Sequence, residues 1–389
     1  MPFAAALSTR AESAAALDET CARALDQLGA KPDLAVVFFS RPHVPAAEAL
    51  AEQLRQRLAP RCLLGCVGEA IAGDDREIEE GPALSLWLGR WDQPIEFEPF
   101  RMTLEQTPDG YSLLGWPDRL PNADPAQTTV LILGDPYSFP IDGFLRQLNH
   151  AAPGVRVLGG MASGAQQAED MRLLLNDAVH GDGAIAVMIQ GAVTIRSIVS
   201  QGCRPIGQHL VITRAQDNLI LELGGKPPRV RLQEMYDSLD EHDRTLLRNG
   251  LHVGRVINEY QGAFQRGDFL VRNVLGLDNT TGGLAISDRV RIGQTIQFHV
   301  RDADTAHEDL QALLQLDMSA HEAKPQGALL FTCNGRGTRL FPEPHHDARN
   351  IRAEAGAIPL AGFFAQGEVG PIGGQNFVHG FTASVVLFE

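Results

Sequence analysis

The feature that most constrains this chain is a unit that recurs. Residues 34–39 form a short apolar run with the character of a buried strand. Residues 45–58 place Leu50, Leu54 and Leu58 four apart, as a helix would. A second apolar run then ends in Gly65-Cys66-Val67-Gly68-Glu69. The same order returns at 129–133, 141–149 and 155–158, which runs into Gly159-Gly160-Met161-Ala162-Ser163. Val36 and Gly65 are 29 positions apart (65 minus 36), and so are Val130 and Gly159 (159 minus 130). A polar excursion and a further strand follow each turn, at 83–88 in the first copy and 184–189 in the second. Residues 329–332, 348–355, 360–362 and 382–388 repeat the plan once more. Three copies of a βαββ-like unit are therefore expected. The fold class that follows is α/β, with repeated βαβ-rich units in mixed sheets.

Ahead of the first copy, 3–7 reads as a strand. Residues 11–28 read as a helix with Leu17, Cys21, Leu25 and Leu28 on one face and Gly29 as its stop. Between the second and third copies the pattern changes. Residues 193–199 and 209–213 alternate like half-exposed strands, and Gly224-Gly225-Lys226-Pro227-Pro228 marks a junction. Residues 231–248 are helical and highly charged, the mark of a solvated surface helix. Antiparallel strands follow at 268–274, 284–286 and 295–300. A helix at 304–316 has Asp304 as its cap. This organisation predicts two domains: an α/β domain over 1–222 and an α+β domain over 223–389 that carries the last copy.

With 33 basic and 48 acidic residues in 389, the net charge is −15. That field repels phosphate backbones and anionic lipid, so neither nucleic acid nor a membrane surface is expected as a main partner. No apolar run reaches a membrane span and no leader pattern opens the chain, which predicts a cytoplasmic protein. The five cysteines are Cys21, Cys62, Cys66, Cys203 and Cys333. An odd, scattered set suits a reducing compartment, and all five are expected as thiols. Four of them read as small buried hydrophobes.

The chemistry concentrates at the strand ends of the third copy, where parallel sheets place their ligand sites. Cys333-Asn334-Gly335-Arg336-Gly337 puts a thiol and a guanidinium between two glycines that allow close backbone approach. Gly367-Glu368 adds a carboxylate and His379 an imidazole. Arg336 suits a ligand carboxylate and Glu368 an amine or hydroxyl. The bland alternative is a structural ion pair between them. Glu69 and Glu368 each follow a glycine and are expected at similar places. Gly65, Gly159 and Gly160 join the candidate ligand-binding set. Cys333 with His379 as base is the alternative catalytic reading. No metal is expected: His345 and His346 are adjacent, lack partners at ligand spacing, and precede Asp347, which reads as a helix N-cap. There is no P-loop and no serine nucleophile elbow.

The ordered set Leu64-Gly65-Cys66-Val67-Gly68-Glu69, 157–163, 182–188, 202–207, then 327–337, 360–371 and 379–388 resembles the FIST proteins over roughly residues 30–389. The resemblance implies an intracellular sensor for a small ligand; the charges of Arg336 and Glu368 suit one of amino-acid-like, zwitterionic or anionic type. It also admits a haem-based gas sensor. Any haem would be non-covalent, for there is no C-x-x-C-H. FIST domains are often joined to signalling modules, and this chain has no room for one. The resemblance therefore implies a stand-alone sensor with output to a separate signalling protein or through self-association.

Overall fold

The computed structural model describes residues 2–108 and 110–389. The chain forms two compact units. One comprises Met1–Val199, Leu310–Val378 and Thr382–Glu389, the other Ser200–Asp309 with His379–Phe381.

The first unit is made of the three copies, each heading its own sheet. In copy one, Leu34–Ser40 and Cys62–Gly68 run parallel and are joined through helix Ala47–Leu58. Leu84–Gly89 closes the copy antiparallel to its first strand, and Phe3–Ser8 lies outside it. Copy two repeats this with Thr128–Gly134, helix Ile141–Ala151, Arg156–Met161, closing strand Ala184–Gly191 and outer strand Ile95–Thr107. Copy three uses Gly327–Cys333, helix His346–Ala355, Leu360–Ala365 and closing strand Thr382–Phe388, with Ile195–Gln201 outermost. Leu34–Ser40, Cys62–Gly68 and Gly327–Cys333 are buried at every position. Strands covered on both faces need apolar side chains on both, which is why they read as continuous runs. Phe38, Phe331 and Phe363 meet in the core, with ring centroids 5.0 Å apart for Phe38–Phe363 and 5.8 Å for Phe331–Phe363. Each such buried ring stabilises the fold by about 1.5–3 kcal/mol.

The polar excursions are β-hairpins, and each copy gives its hairpin to another copy's sheet. The hairpin Ile71–Gly73/Arg76–Ile78 of copy one pairs with Leu360–Ala365 of copy three. The hairpin Leu173–Leu175/Ala178–His180 of copy two pairs with Cys62–Gly68 of copy one. Glu368–Ile372 and Gln375–His379 of copy three extend the sheet of copy two, through Arg156–Met161. The exchange is cyclic: one to three, three to two, two to one.

Strand register fixes which residues correspond. Gly65 pairs with Val37, Gly159 with Ile132 and Gly362 with Leu330. A Cβ at these glycines would stand 2.6, 1.9 and 2.1 Å from the paired residue's carbonyl oxygen. All three copies therefore need glycine at the same point for the two parallel strands to close. Four residues on come Glu69, Ser163 and Gln366. Glu368 lies two positions further, so the expected equivalence of Glu69 and Glu368 is corrected. The three turns converge. Met161 N–H donates to Gly367 O at 2.8 Å and Phe364 N–H to Ala70 O at 2.9 Å. Glu69 N–H donates to Ser163 Oγ at 2.8 Å, and that hydroxyl donates to Phe364 O.

The second unit is a closed six-stranded barrel, in the order Cys203–Gln216, Leu219–Leu223, Leu284–Ile286, Phe269–Leu277, Leu251–Val256 and Thr295–Arg301. Its core includes Ile206, Ile212, Ile220, Val253, Ile296 and Phe298. The charged helix expected over 231–248 is two helices, Pro228–Ser238 and Glu241–Arg248. The break falls where Asp240 turns its carboxylate to the Asp243 N–H and caps the second one. Among the described residues, no helix is long and apolar enough to cross a membrane.

Candidate functional site

Strand Gly327–Cys333 ends in a tight turn. Arg336 N–H donates to Cys333 O at 2.8 Å, and Gly335 N–H donates to Cys333 Sγ at 3.4 Å. Gly337 follows at φ +59°, a conformation that favours glycine. A Cβ at Gly337 would also stand 2.7 Å from the Glu79 carboxyl group. Glu79 belongs to the loop after copy one's hairpin. It accepts the Thr338 N–H at 2.9 and 3.1 Å and the Thr338 hydroxyl at 2.7 Å. Copy one's chain thus holds copy three's loop in place.

Beneath the loop lies a buried charged network. Arg336 is fully buried, and its Nε and Nη2 bind the two oxygens of Asp347 at 2.8 and 2.7 Å. The guanidinium lies over the Phe341 ring at 5.1 Å, and that ring stacks on His346. Asp347 also accepts the Thr332 hydroxyl at 2.6 Å and lies 2.9 Å from His346 Nδ1. Burial alone would raise the Asp347 pKa; the Arg336 guanidinium outweighs it and holds the carboxyl well below the usual range. Glu77 comes from the exchanged hairpin. Its Oε1 accepts the Ala348 N–H at 2.8 Å, in the first turn of helix His346–Ala355. Burial, with Asp347 beside it, pushes Glu77 up to about 8. Glu368 is fully buried and accepts the Thr382 N–H at 3.1 Å and its hydroxyl at 2.7 Å; burial pushes it up to about 8. Among the described residues, Arg336 Nη1, Glu77 Oε2 and Glu368 Oε1 have no hydrogen-bond partner.

The rim is different. Arg339 keeps 57 % of its side chain exposed and pairs with Glu69, at 31 %. Its Nη1 also binds Asn334 O at 2.7 Å.

The FIST N domain matches residues 33–226, and the FIST C domain matches residues 231–371. The chain belongs to the FIST family. FIST domains are consistent with a sensory, signalling role. Two similar relatives are the Uncharacterized protein Rv0628c of Mycobacterium tuberculosis and the Uncharacterized protein Mb0898c of Mycobacterium bovis. Each is 40% identical over 390 residues, spanning 100% of this chain and 100% and 99% of the relative's own. The family domains and the compact units part the chain differently. The FIST C domain takes in strands of the barrel and most of copy three alike.

In this FIST chain Glu69 stands at the rim with Arg339, Gly367 accepts the Met161 N–H through its carbonyl, and the other expected site residues fall into three groups. Cys333, Asn334, Gly335, Arg336, Gly337 and Glu368 are brought into one neighbourhood: Cys333 lies within electrostatic reach of Arg336, and Arg336 of Glu368. Arg336 is already engaged, and its partner is Asp347, not Glu368. Gly65, Gly159 and Gly160 form the second group and lie inside strands. Gly160 faces Ala365, whose Cβ would be 2.9 Å from an added Cβ. Strand packing accounts for these glycines without a ligand. His379 is the third case: buried at the end of Gln375–His379, it is grouped with the second unit. Asp347 is not the helix cap. His345 holds that position at φ +68°, and the Asp347 carboxylate turns to Arg336. His345 Nδ1 accepts the Glu77 N–H at 3.0 Å, so the adjacent imidazoles serve different partners. Among the described residues, no group of three or more His, Cys, Asp or Glu side chains stands ready to hold a metal ion.

Arg339, Glu77 and Glu79 were not singled out from the sequence. Arg339 carried a weak signal, two residues beyond Gly337. Glu77 and Glu79 carried none, because their importance rests on the hairpin exchange. Burial drives the thiol of Cys21 up to about 11, that of Cys62 to about 12, and that of Cys66 well above its ordinary value, in keeping with core positions.

Proposed function

We propose that this FIST chain is an intracellular sensor for a small amino-acid-like metabolite, bound at the rim of copy three. One observation carries the reading: Arg339 and Glu69, of opposite charge and both solvent-reachable, meet where the turn of copy one joins the loop of copy three. Arg339 suits the ligand's carboxylate and Glu69 its amine. Arg336 supports the site from below. Its fork is committed to Asp347, so it fixes the loop rather than the ligand. A solvated ion pair is worth little by itself and is exchanged for ligand contacts at small cost. Occupancy of the rim would bear on the exchanged hairpin through Glu79 and Thr338, which offers a route from ligand to fold. The output passes to a separate signalling protein or to self-association.

The test is a thermal-shift and calorimetric screen of amino acids, their amine-blocked forms and dicarboxylates against the full chain. A zwitterion should bind, and Arg339→Gln should weaken it by about 1.5–3 kcal/mol, the worth of a charged hydrogen bond. Binding that survives both Arg339→Gln and Glu69→Gln would place the ligand elsewhere.

A further inference from the structure

Cys333 differs from the core cysteines in exposure and in surroundings. It keeps 7 % of its surface exposed, while Cys62 and Cys66 keep none. Its sulfur accepts a backbone N–H from Gly335. Two guanidiniums, Arg336 and Arg339, lie within electrostatic reach of it. Cations and backbone donors favour the thiolate, the form that attacks. A second observation concerns Arg336, which lies within electrostatic reach of Cys333. Arg336 uses Nε and Nη2 on Asp347, so Nη1 lies on the opposite edge of the guanidinium. Nη1 has no hydrogen-bond partner among the described residues, although Arg336 is fully buried. After Asp347, the titratable groups within electrostatic reach of this guanidinium include Cys333 and Glu77, and Glu77 is held protonated by its burial.

We propose that Cys333 is an oxidation site for hydroperoxides, whose sulfenate is held by the Gly335 N–H and Arg336. The small exposure of the residue selects a small oxidant. The thiolate attacks the distal oxygen of the peroxide. An S–O bond forms, the O–O bond breaks, and two electrons pass from sulfur to the peroxide. The alkoxide or hydroxide that leaves takes a proton from solvent and departs as alcohol or water. The added oxygen is an acceptor that a guanidinium N–H satisfies. A small thiol reverses the change by attacking the sulfenate sulfur with loss of hydroxide; a second thiol then releases Cys333 as thiolate and leaves the reductant as its disulfide. No metabolite need be bound at the rim for this chemistry.

The experiment treats the folded full chain with hydrogen peroxide, traps sulfenate with dimedone and maps the adduct by peptide mass spectrometry. The adduct should fall on Cys333, form at least about tenfold faster than on glutathione, and be lost in Cys333→Ser. An Arg336 variant is liable to unfold, so Arg339→Gln at the exposed rim is the second variant and should slow the reaction. Labelling spread over the five cysteines, labelling only after denaturation, or a rate equal to that of glutathione would overturn the proposal. So would an unchanged rate in Arg339→Gln. Zwitterion binding in Cys333→Ser separates this proposal from the ligand reading, for that variant should lose the adduct and keep the binding.

Discussion

Copies two and three share one frame and differ in the loop that follows their first strand. In copy two, Asp135 closes its own turn: Oδ1 accepts the Tyr137 N–H at 3.1 Å and Oδ2 accepts the Ser138 hydroxyl. That hydroxyl in turn accepts the Gly183 N–H at 2.8 Å. Only neutral donors are used, and two of the three lie within three residues. In copy three, the buried carboxylate is Asp347, eleven residues beyond the arginine that satisfies it, and Glu77 arrives from copy one. The first arrangement is a turn that completes itself. The second is a network in which polar atoms of Arg336, Glu77 and Glu368 have no hydrogen-bond partner among the described residues. An unsatisfied buried polar atom costs about 1–3 kcal/mol, so its persistence marks a place where something besides stability is maintained.

The sharpest way to break this contrast is to delete each carboxylate. Asp347→Ala leaves Arg336 buried without its counter-ion and should destabilise the chain by about 3–5 kcal/mol in urea titrations. Asp135→Ala removes neutral donors' acceptor and should cost about 1–2 kcal/mol. Equal losses would mean that the two loops are energetically alike.

The frames, by contrast, should respond alike. Gly159→Ala and Gly362→Ala each drive a Cβ against a carbonyl oxygen, at 1.9 and 2.1 Å, and should cost about 3 kcal/mol apiece. Gly65→Ala, at 2.6 Å, should cost less. A silent Gly362→Ala would remove the argument that one register serves every copy.

A smaller effect depends on pH. Glu77 and Glu368 keep a proton in the folded chain up to about 8, whereas the unfolded chain releases it above the ordinary value of 4.5. Their contribution is full below 4.5 and is lost as pH rises to about 8. Burial holds His252 and His299 down at about 4, so these two oppose the trend between about 4 and their ordinary value of 6.5. Between 6.5 and 8 the glutamates act without them. Stability should fall across that window, and Glu77→Gln with Glu368→Gln should flatten the slope. An unchanged slope would show that both carboxyls are ionised in the native state.

The smallest effect belongs to the rim. Arg339→Gln should change stability by less than about 1 kcal/mol, because the pair with Glu69 is solvated. A larger loss in thermal unfolding would make that pair part of the scaffold and remove it from the ligand reading.

Much of the frame was legible in the chain itself. Periodicity placed the parallel strands, the connecting helices and the closing strands of all three copies. Glycines at 65 and 159 stood out by their equal spacing but read as turn residues of a ligand site; the strand register showed that they, with Gly362, lie inside strands where the parallel pair closes. These signals are local: a strand buried on both faces must be apolar throughout, and a helix must repeat its apolar positions every three or four residues. The pairing of the hairpins was not legible. Three-residue strands carry too little pattern, and Ile71 finds its partner at Phe363, 292 positions further on (363 minus 71). Burial of Arg336, its choice of Asp347 over Glu368, and the raised pKa of Glu77 all depend on that exchange. Sequence determined which residues form the frame, because burial and periodicity act over a few residues. Tertiary structure alone decided which charges meet, because electrostatic partners are chosen by distance in space.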